Sequence, residues 1–225
     1  MDPTTPTPPG VIFDLDGTLA DTLQDLTEAL NATLADEHLA PRPPEQVRSF
    51  IGDGLATLLS RAAETEDPER IAALIGRFRE HYAGNYLRHT LLYAGLEAVL
   101  DALRQVGCPL AVLSNKRHDF TRWICDGLLE RWPLVEAVGT RPGGPKKPDP
   151  SEALRLAERM QRSCGDVVLV GDSDTDVQTA RAAGMRSVAV TWGFRDRPLL
   201  VASEPDRLVD RPEELLDAIL TPLPR

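Results

Sequence analysis

Two carboxylates one residue apart, Asp14 and Asp16, follow three apolar residues, Val11, Ile12 and Phe13. Gly17 and Thr18 then break the run, and a helical pattern begins near Asp21. This pattern predicts a buried strand ending in a turn that carries two acids. Residues i and i+2 of a strand share a side, so extended geometry past Asp14 would bring both carboxylates together at the strand's C-terminal tip. Like charges at that range resist joint ionisation, and one acid holds a proton unless a cation intervenes. Such a pair can supply a nucleophile, an acid/base or half of a metal site; an Asp-rich turn has the same appearance.

Other chemistry-bearing residues follow later apolar runs. Ser114 and Asn115 come after residues 109–113, Lys147 lies in a Gly/Pro/Lys loop at 139–150, and Asp172 and Asp176 follow residues 166–171. Acids at two strand tips make an oxygen-rich site suited to a hard cation, above all Mg²⁺. With no Cys or His at these tips, zinc is disfavoured. Ser114, Asn115 and the backbone N–H groups around residues 15–17 can hydrogen-bond anionic oxygens, and Lys147 adds a point charge. These are the parts for phosphoryl transfer, in which positioning and charge neutralisation carry most of the catalysis. A carboxylate can also be the covalent nucleophile.

The elements that must position these groups are readable from periodicity. Leu23, Leu26, Leu30 and Leu34 mark a helix capped by Asp21 or Thr22. Short helical pieces over 45–63 are interrupted by Gly52-Asp53-Gly54, and Pro68 opens a longer helix with Ile71, Leu74, Ile75, Phe78 and Tyr82 on one side. No strand is evident between the first one and about residue 90, which predicts a four-helix insert. From residue 95 helices alternate with apolar strands at 109–113, 134–138, 166–171 and 186–191, with a weak strand at 207–209. Asp210 and Glu213 read as a capping box for a final helix. Alternation with all-apolar strands implies an α/β fold, a Rossmann-like parallel sheet with helices on both faces. Ligands of such sheets bind beyond the carboxyl ends of the strands, where the polar set falls. The expected organisation is a flexible leader at 1–10, a catalytic core at 11–19 and 91–225, and a helical cap at 20–90.

The bulk properties narrow the partners. The chain of 225 residues is 42% hydrophobic and 27% charged, ordinary for a globular protein with a sizeable core. Its 35 acidic and 25 basic residues give a net charge of −10, which argues against a general nucleic-acid or anionic-membrane surface. Cys108, Cys125 and Cys164 form no C-x-x-C pair and read as reduced thiols. The Pro/Thr-rich leader lacks the basic and apolar regions of a signal peptide, and no run approaches a membrane span. A cytoplasmic protein is expected, monomer or homodimer, acting on a small phosphorylated metabolite without nucleic-acid or membrane partners.

Four ordered segments sharpen this expectation: Asp14-Leu15-Asp16-Gly17-Thr18-Leu19, Leu113-Ser114-Asn115, Lys147-Pro148-Asp149-Pro150 and Gly171-Asp172-Ser173-Asp174-Thr175-Asp176. In order and spacing they resemble the four motifs of the haloacid dehalogenase-like (HAD) superfamily, over residues 11–195. The resemblance implies that Asp14 is the nucleophile and a Mg²⁺ ligand. It implies that Asp16 protonates the leaving alcohol, later activates water, and binds the metal through its carbonyl. Ser114, with backbone groups of Gly17 and Asn115, would bind the phosphoryl group. Lys147 would neutralise charge between Asp14 and phosphate. Asp172 would bind Mg²⁺ directly, and Asp176 through water or by orienting Lys147. A phosphate dianion facing Asp14 needs both a metal and a lysine to approach, so the physical reading agrees.

The insert resembles the superfamily's helical cap, and residues 50–59 are similar to the cap segment of phosphoglycolate phosphatases. Residues 93–95 and 190–194 are similar to that subgroup as well, although Ala94 stands where a proline is common. The expected activity is therefore Mg²⁺-dependent hydrolysis of a small phosphate monoester through an aspartyl-phosphate, with phosphoglycolate one candidate substrate. A sugar phosphomutase would use the same nucleophile, and a non-catalytic binding protein would keep the fold. A haloacid dehalogenase would lack the second acid. The bland readings are that Lys146 and Asp174 are solvated neighbours of the site, that Lys116 and Arg117 are surface charge within substrate reach, and that His38, His81, His89 and His118 are structural. Asp53, between two glycines, reads equally as a tight turn.

Overall fold

The computed structural model describes residues 7–222. Strand β1, Gly10–Phe13, is buried at every position and lies at the centre of a six-stranded sheet. A two-residue strand β2, Ala20–Asp21, leads into four helices: α1 Leu23–Asp36, α2 Pro44–Phe50, α3 Leu55–Ala63 and α4 Pro68–Ala83. Strand β3, Leu91–Leu92, returns the chain by pairing antiparallel with β2. The remaining elements alternate: α5 Leu96–Gln105, β4 Leu110–Arg117, α6 His118–Leu128, β5 Leu134–Thr140, α7 Ser151–Arg159, β6 Val167–Gly171, α8 Asp174–Ala183, β7 Arg186–Val190, α9 Arg197–Ala202, β8 Arg207–Val209 and α10 Leu215–Leu220. The sheet order is β5-β4-β1-β6-β7-β8, with every pair parallel.

The strand period of two divides the core. Val11 and Phe13 of β1, Val112 of β4 and Val168 and Val170 of β6 join one buried cluster with Leu100, Phe120 and Leu215. Their neighbours Ile12, Ala111, Leu113 and Leu169 face the opposite side, onto Leu156 and Ala157 of α7 and Ala180 of α8. Alternate residues thus feed opposite layers, which is why these strands read as uninterrupted apolar runs. The first cluster continues into the insert through Leu26, Leu30, Leu34, Leu59, Leu74 and Phe78.

Four expectations change. Gly10, assigned to the leader, is the first residue of β1, and the carbonyl of Pro8 accepts a hydrogen bond from Arg162 Nε at 2.8 Å; residues 1–6 of that leader lie outside the described residues. The stretch before residue 90 does contain a strand, β2, too short to show a periodicity. β4 runs on through Ser114, Asn115 and Lys116 because Arg117 regains pairing with Thr140 of β5 after a register shift. The capping box at Asp210 and Glu213 is not formed. Glu214 instead accepts from the Asp210 N–H at 3.0 Å, while the Asp210 carboxylate is engaged by Thr191 and Arg197.

Candidate active site

The residues beyond β1 form a tight loop. Gly17 donates its N–H to the Ala20 carbonyl at 2.9 Å, and Ala20 returns a bond to Leu15. Gly17 has φ +84°, and a Cβ there would overlap the Asp172 carboxylate. Glycine is needed for both reasons. This corrects the expectation of a phosphate contact from Gly17: its N–H is already committed, and its contribution is close approach to Asp172. Leu15 and Asp16 donate no backbone hydrogen bond among the described residues, which leaves two N–H groups beside Asp14.

Asp14, Lys147, Asp172 and Asp176 converge from β1, the loop before α7, β6 and α8. Carboxylate oxygens of Asp14, Asp172 and Asp176 lie within 4.8 Å of one another, and all three residues are buried. Lys147 Nζ stands 2.9 Å from Asp14 Oδ1 and 2.6 Å from Asp176 Oδ1. The contact to Asp14 is an ion pair without hydrogen-bond alignment, so Asp14 Oδ1 has no hydrogen-bond partner. The other oxygen of Asp176 accepts from the N–H and hydroxyl of Ser173, which closes a capping box on α8. Asp176 is therefore fully engaged, with one oxygen on Lys147 and the other on Ser173. Lys146, its neighbour, points outward to the Asp53 carbonyl at 3.2 Å.

Burial dominates the electrostatics. It pushes the Asp14 carboxyl up to about 6, with Asp176 adding and Lys147 opposing. It pushes Asp172 up to about 8, assisted by Asp14 and Asp176 and opposed by the Phe194 N–H. Burial alone would lower the Lys147 ammonium, but Asp14 and Asp176 outweigh it and hold that group above its ordinary range. Three acids and one lysine leave an excess of negative charge in a dry site. An orphaned oxygen on Asp14 and a strained carboxylate at Asp172 are what a divalent oxygen-seeking cation would relieve. The donor set fits Mg²⁺.

Asp16 is placed differently. Its carboxylate accepts from Thr22 Oγ1 at 2.7 Å and from Lys116 Nζ at 3.0 and 3.2 Å. Lys116 is therefore not surface charge. It is buried, stacked 4.8 Å over the Tyr82 ring, and lines the site. The signal was available: Ser114 and Lys116 are two apart in β4, so the strand period places them on one side.

Ser114 is buried, and its hydroxyl oxygen accepts only a 3.3 Å bond from the Lys116 N–H. Its proton remains available to an anion. The Asn115 side chain is consumed by structure. Its amide donates to the carbonyls of Gly52 and Lys147, both at 3.0 Å, and its oxygen accepts from Lys147 N–H at 2.8 Å. Any contact from Asn115 to phosphate thus falls to its backbone. The insert closes the site: Leu26, Ile51, Leu55, Leu58 and Phe78 line one small cavity together with Asp14, Asp16, Ser114, Lys147 and Asp172. No histidine lines it.

A parallel sheet with acids at two strand tips, a buried lysine and a helical insert after the first strand defines a class. A family model described as haloacid dehalogenase-like hydrolase matches residues 11–190. The chain belongs to this family. It is 37% identical to phosphoglycolate phosphatase of Rhodospirillum rubrum, over 85% of this chain and 83% of that one. It is 38% identical to phosphoglycolate phosphatase of Agrobacterium fabrum, over 91% and 89%. Among solved structures, a predicted phosphoglycolate phosphatase from Haemophilus somnus 129PT superposes with a TM-score of 0.86 at 28% identity, covering 94% of this chain and 97% of that one.

Proposed function

We propose that this protein is a Mg²⁺-dependent phosphatase of small phosphate monoesters, with phosphoglycolate as the favoured substrate. The observation that carries the chemistry is the convergence of Asp14 with Lys147 and Asp172 beneath an apolar lid. The substrate assignment is supported by the two relatives named phosphoglycolate phosphatase, each aligned over more than four-fifths of the chain.

In this reading an oxygen of Asp14 attacks phosphorus, the bond to the leaving oxygen breaks, and an aspartyl-phosphate forms on Asp14. Lys147, held by Asp176, offsets the repulsion between Asp14 and the phosphate oxygens. The Ser114 hydroxyl and the free N–H groups of Leu15 and Asp16 hold those oxygens in place. Mg²⁺, held by Asp14, Asp172 and the Asp16 carbonyl, would supply the remaining neutralising charge. Asp16 gives a proton to the departing alkoxide, then takes one from the water that hydrolyses the aspartyl-phosphate. Lys116 Nζ lies 3.0 and 3.2 Å from the two Asp16 oxygens, and an arriving phosphate dianion competes for that ammonium. The apolar side chains of the insert keep water out of the first step.

A panel of phosphoglycolate, sugar phosphates, nucleotides and pyrophosphate, with phosphate release followed in Mg²⁺ and in excess chelator, tests this reading. Release from phosphoglycolate should lead and should stop on chelation. Asp14→Asn should lower kcat by at least about 10³-fold, the scale of losing a nucleophile rather than a contact. Wild-type turnover by that variant would refute the mechanism.

A further inference from the structure

The cations lining the cavity pair off with one exception. Lys147 faces Asp14 and Asp176, and Lys116 faces Asp16. Arg117 is held by both oxygens of Asp119 at 3.1 and 3.0 Å. Arg195, just after β7, lines the same cavity and has no ion-pair or hydrogen-bond partner among the described residues. Its nearest acidic neighbour in sequence, Asp196, lies 3.9 Å from Arg48 instead. An arginine partly withdrawn from water without a counter-ion is costly, because its five donors lose hydration and gain nothing.

The surroundings of Arg195 are built around it. Gly52 of the insert has φ +115°, and a Cβ there would lie 2.7 Å from a guanidinium nitrogen of Arg195. The same glycine offers its carbonyl to Asn115, so the loop that covers the cavity passes directly over the guanidinium. The rest of the wall on the insert side is apolar: Leu26, Ile51, Leu55, Leu58 and Phe78. A charged tail would be rejected by this wall unless a cation met it. The cavity is about 50 Å³, where one water needs roughly 10–15 Å³ on the same measure, so it admits a short tail and not a nucleoside while the insert stays closed.

We propose that Arg195 is the specificity residue of this site, accepting a carboxylate on the leaving group of the substrate. The inference rests on the phosphatase reading above and names the group that recognises the non-reacting end of the ester. A planar carboxylate matches the fork of a guanidinium, and the covering loop makes the bond stronger by excluding water. The contact lies away from phosphorus and is made equally in the ground and transition states, so its loss should raise KM more than it lowers kcat.

Phosphoglycolate and ethyl phosphate differ only in a carboxylate replaced by a methyl group, and their kcat/KM values on wild type and Arg195→Gln test the assignment. Wild type should prefer phosphoglycolate. Arg195→Gln should lower kcat/KM for it by roughly 10- to 100-fold, mostly through KM, and change ethyl phosphate by less than about 3-fold. Arg195→Lys should recover part of the preference. A preference unchanged in Arg195→Gln or equal losses on both esters would each overturn the proposal while leaving the phosphatase reading intact, and a wild type that favours the methyl tail would overturn the proposal together with the phosphoglycolate assignment. Failure of wild type to release phosphate from either ester in Mg²⁺ would instead sink that reading, and this proposal with it.

Discussion

Asp172 shows most directly what a cation would do for this site. Its carboxyl is pushed up to about 8 and that of Asp14 to about 6, both by burial first. An acid whose pKa is raised in the folded state binds more protons there than when unfolded. Stability therefore falls as pH rises, here from near 4 up through about 6 and 8. Without Mg²⁺ the protein should unfold at lower temperature at pH 8 than at pH 6, and added Mg²⁺ should stabilise it more at pH 8. Asp172→Asn should remove most of both effects. The difference between wild type and variant should amount to on the order of 1–3 kcal/mol over those two pH units. Calorimetric melting with and without chelator reads it, and parallel pH profiles for the two proteins would contradict the charge balance described here. At this scale the sequence was informative about types and tips. Asp14 and Asp172 were visible because each follows an apolar run, and Lys147 because it stands before a proline in the Gly/Pro/Lys loop. The strand period places Lys116 on the side of Ser114, but that it meets Asp16 rather than solvent was not visible.

Elements matter because one amide joins three of them. Asn115 near the end of β4 holds the Lys147 backbone before α7 and the Gly52 carbonyl between α2 and α3. Replacing it with Ala leaves a buried N–H of Lys147 and two carbonyls without partners. The expected cost is about 1–3 kcal/mol of stability. Because Lys147 loses its fixed backbone, kcat should fall by roughly 10-fold or more, since misplacement of a charge by an ångström is enough. Urea unfolding and steady-state rates measure the two effects; a destabilised variant with unchanged kcat would show that Asp176 alone aims Lys147. The element order was legible in the sequence, because a fully buried parallel sheet requires unbroken apolar strands. Features set by single hydrogen bonds were not. β2 has two residues and no periodicity, Glu214 displaced Glu213 at the Asp210 N–H, and the Gly17 N–H went to Ala20 rather than toward the cavity.

Insert and sheet share one buried apolar cluster, but the chain connections between them are slight. The insert enters and leaves through β2 and β3, a ribbon paired only at Ala20 with Leu92 and Asp21 with Leu91. Polar contacts between insert and core among the described residues include Asn115 to Gly52, the exposed Lys146 to Asp53, Arg79 to Asp119 at 3.5 Å, and Arg48 Nη2 to the Gly193 carbonyl at 2.8 Å. Gly193 adjoins Phe194, whose N–H holds Asp172 at 2.6 Å, so the Arg48 contact ties lid closure to the geometry of the acid cluster. A charged hydrogen bond of this kind contributes about 1.5–3 kcal/mol, whereas the 3.9 Å pair of Arg48 with exposed Asp196 adds little. Removing it should shift the balance of closed and open forms by roughly 10- to 100-fold, because each 1.4 kcal/mol is a factor of ten. Arg48→Ala should therefore speed amide hydrogen exchange at residues 50–55 and 193–195 and raise KM several-fold. Exchange in β1 and β4 should stay slow, and global stability should fall by no more than the roughly 1.5–3 kcal/mol of the lost bond, because the buried cluster that unites insert and sheet is untouched. Uniform acceleration across the sheet would mean that Arg48 supports the fold as a whole, and unchanged exchange at 50–55 would mean that the remaining contacts hold the lid shut without Arg48.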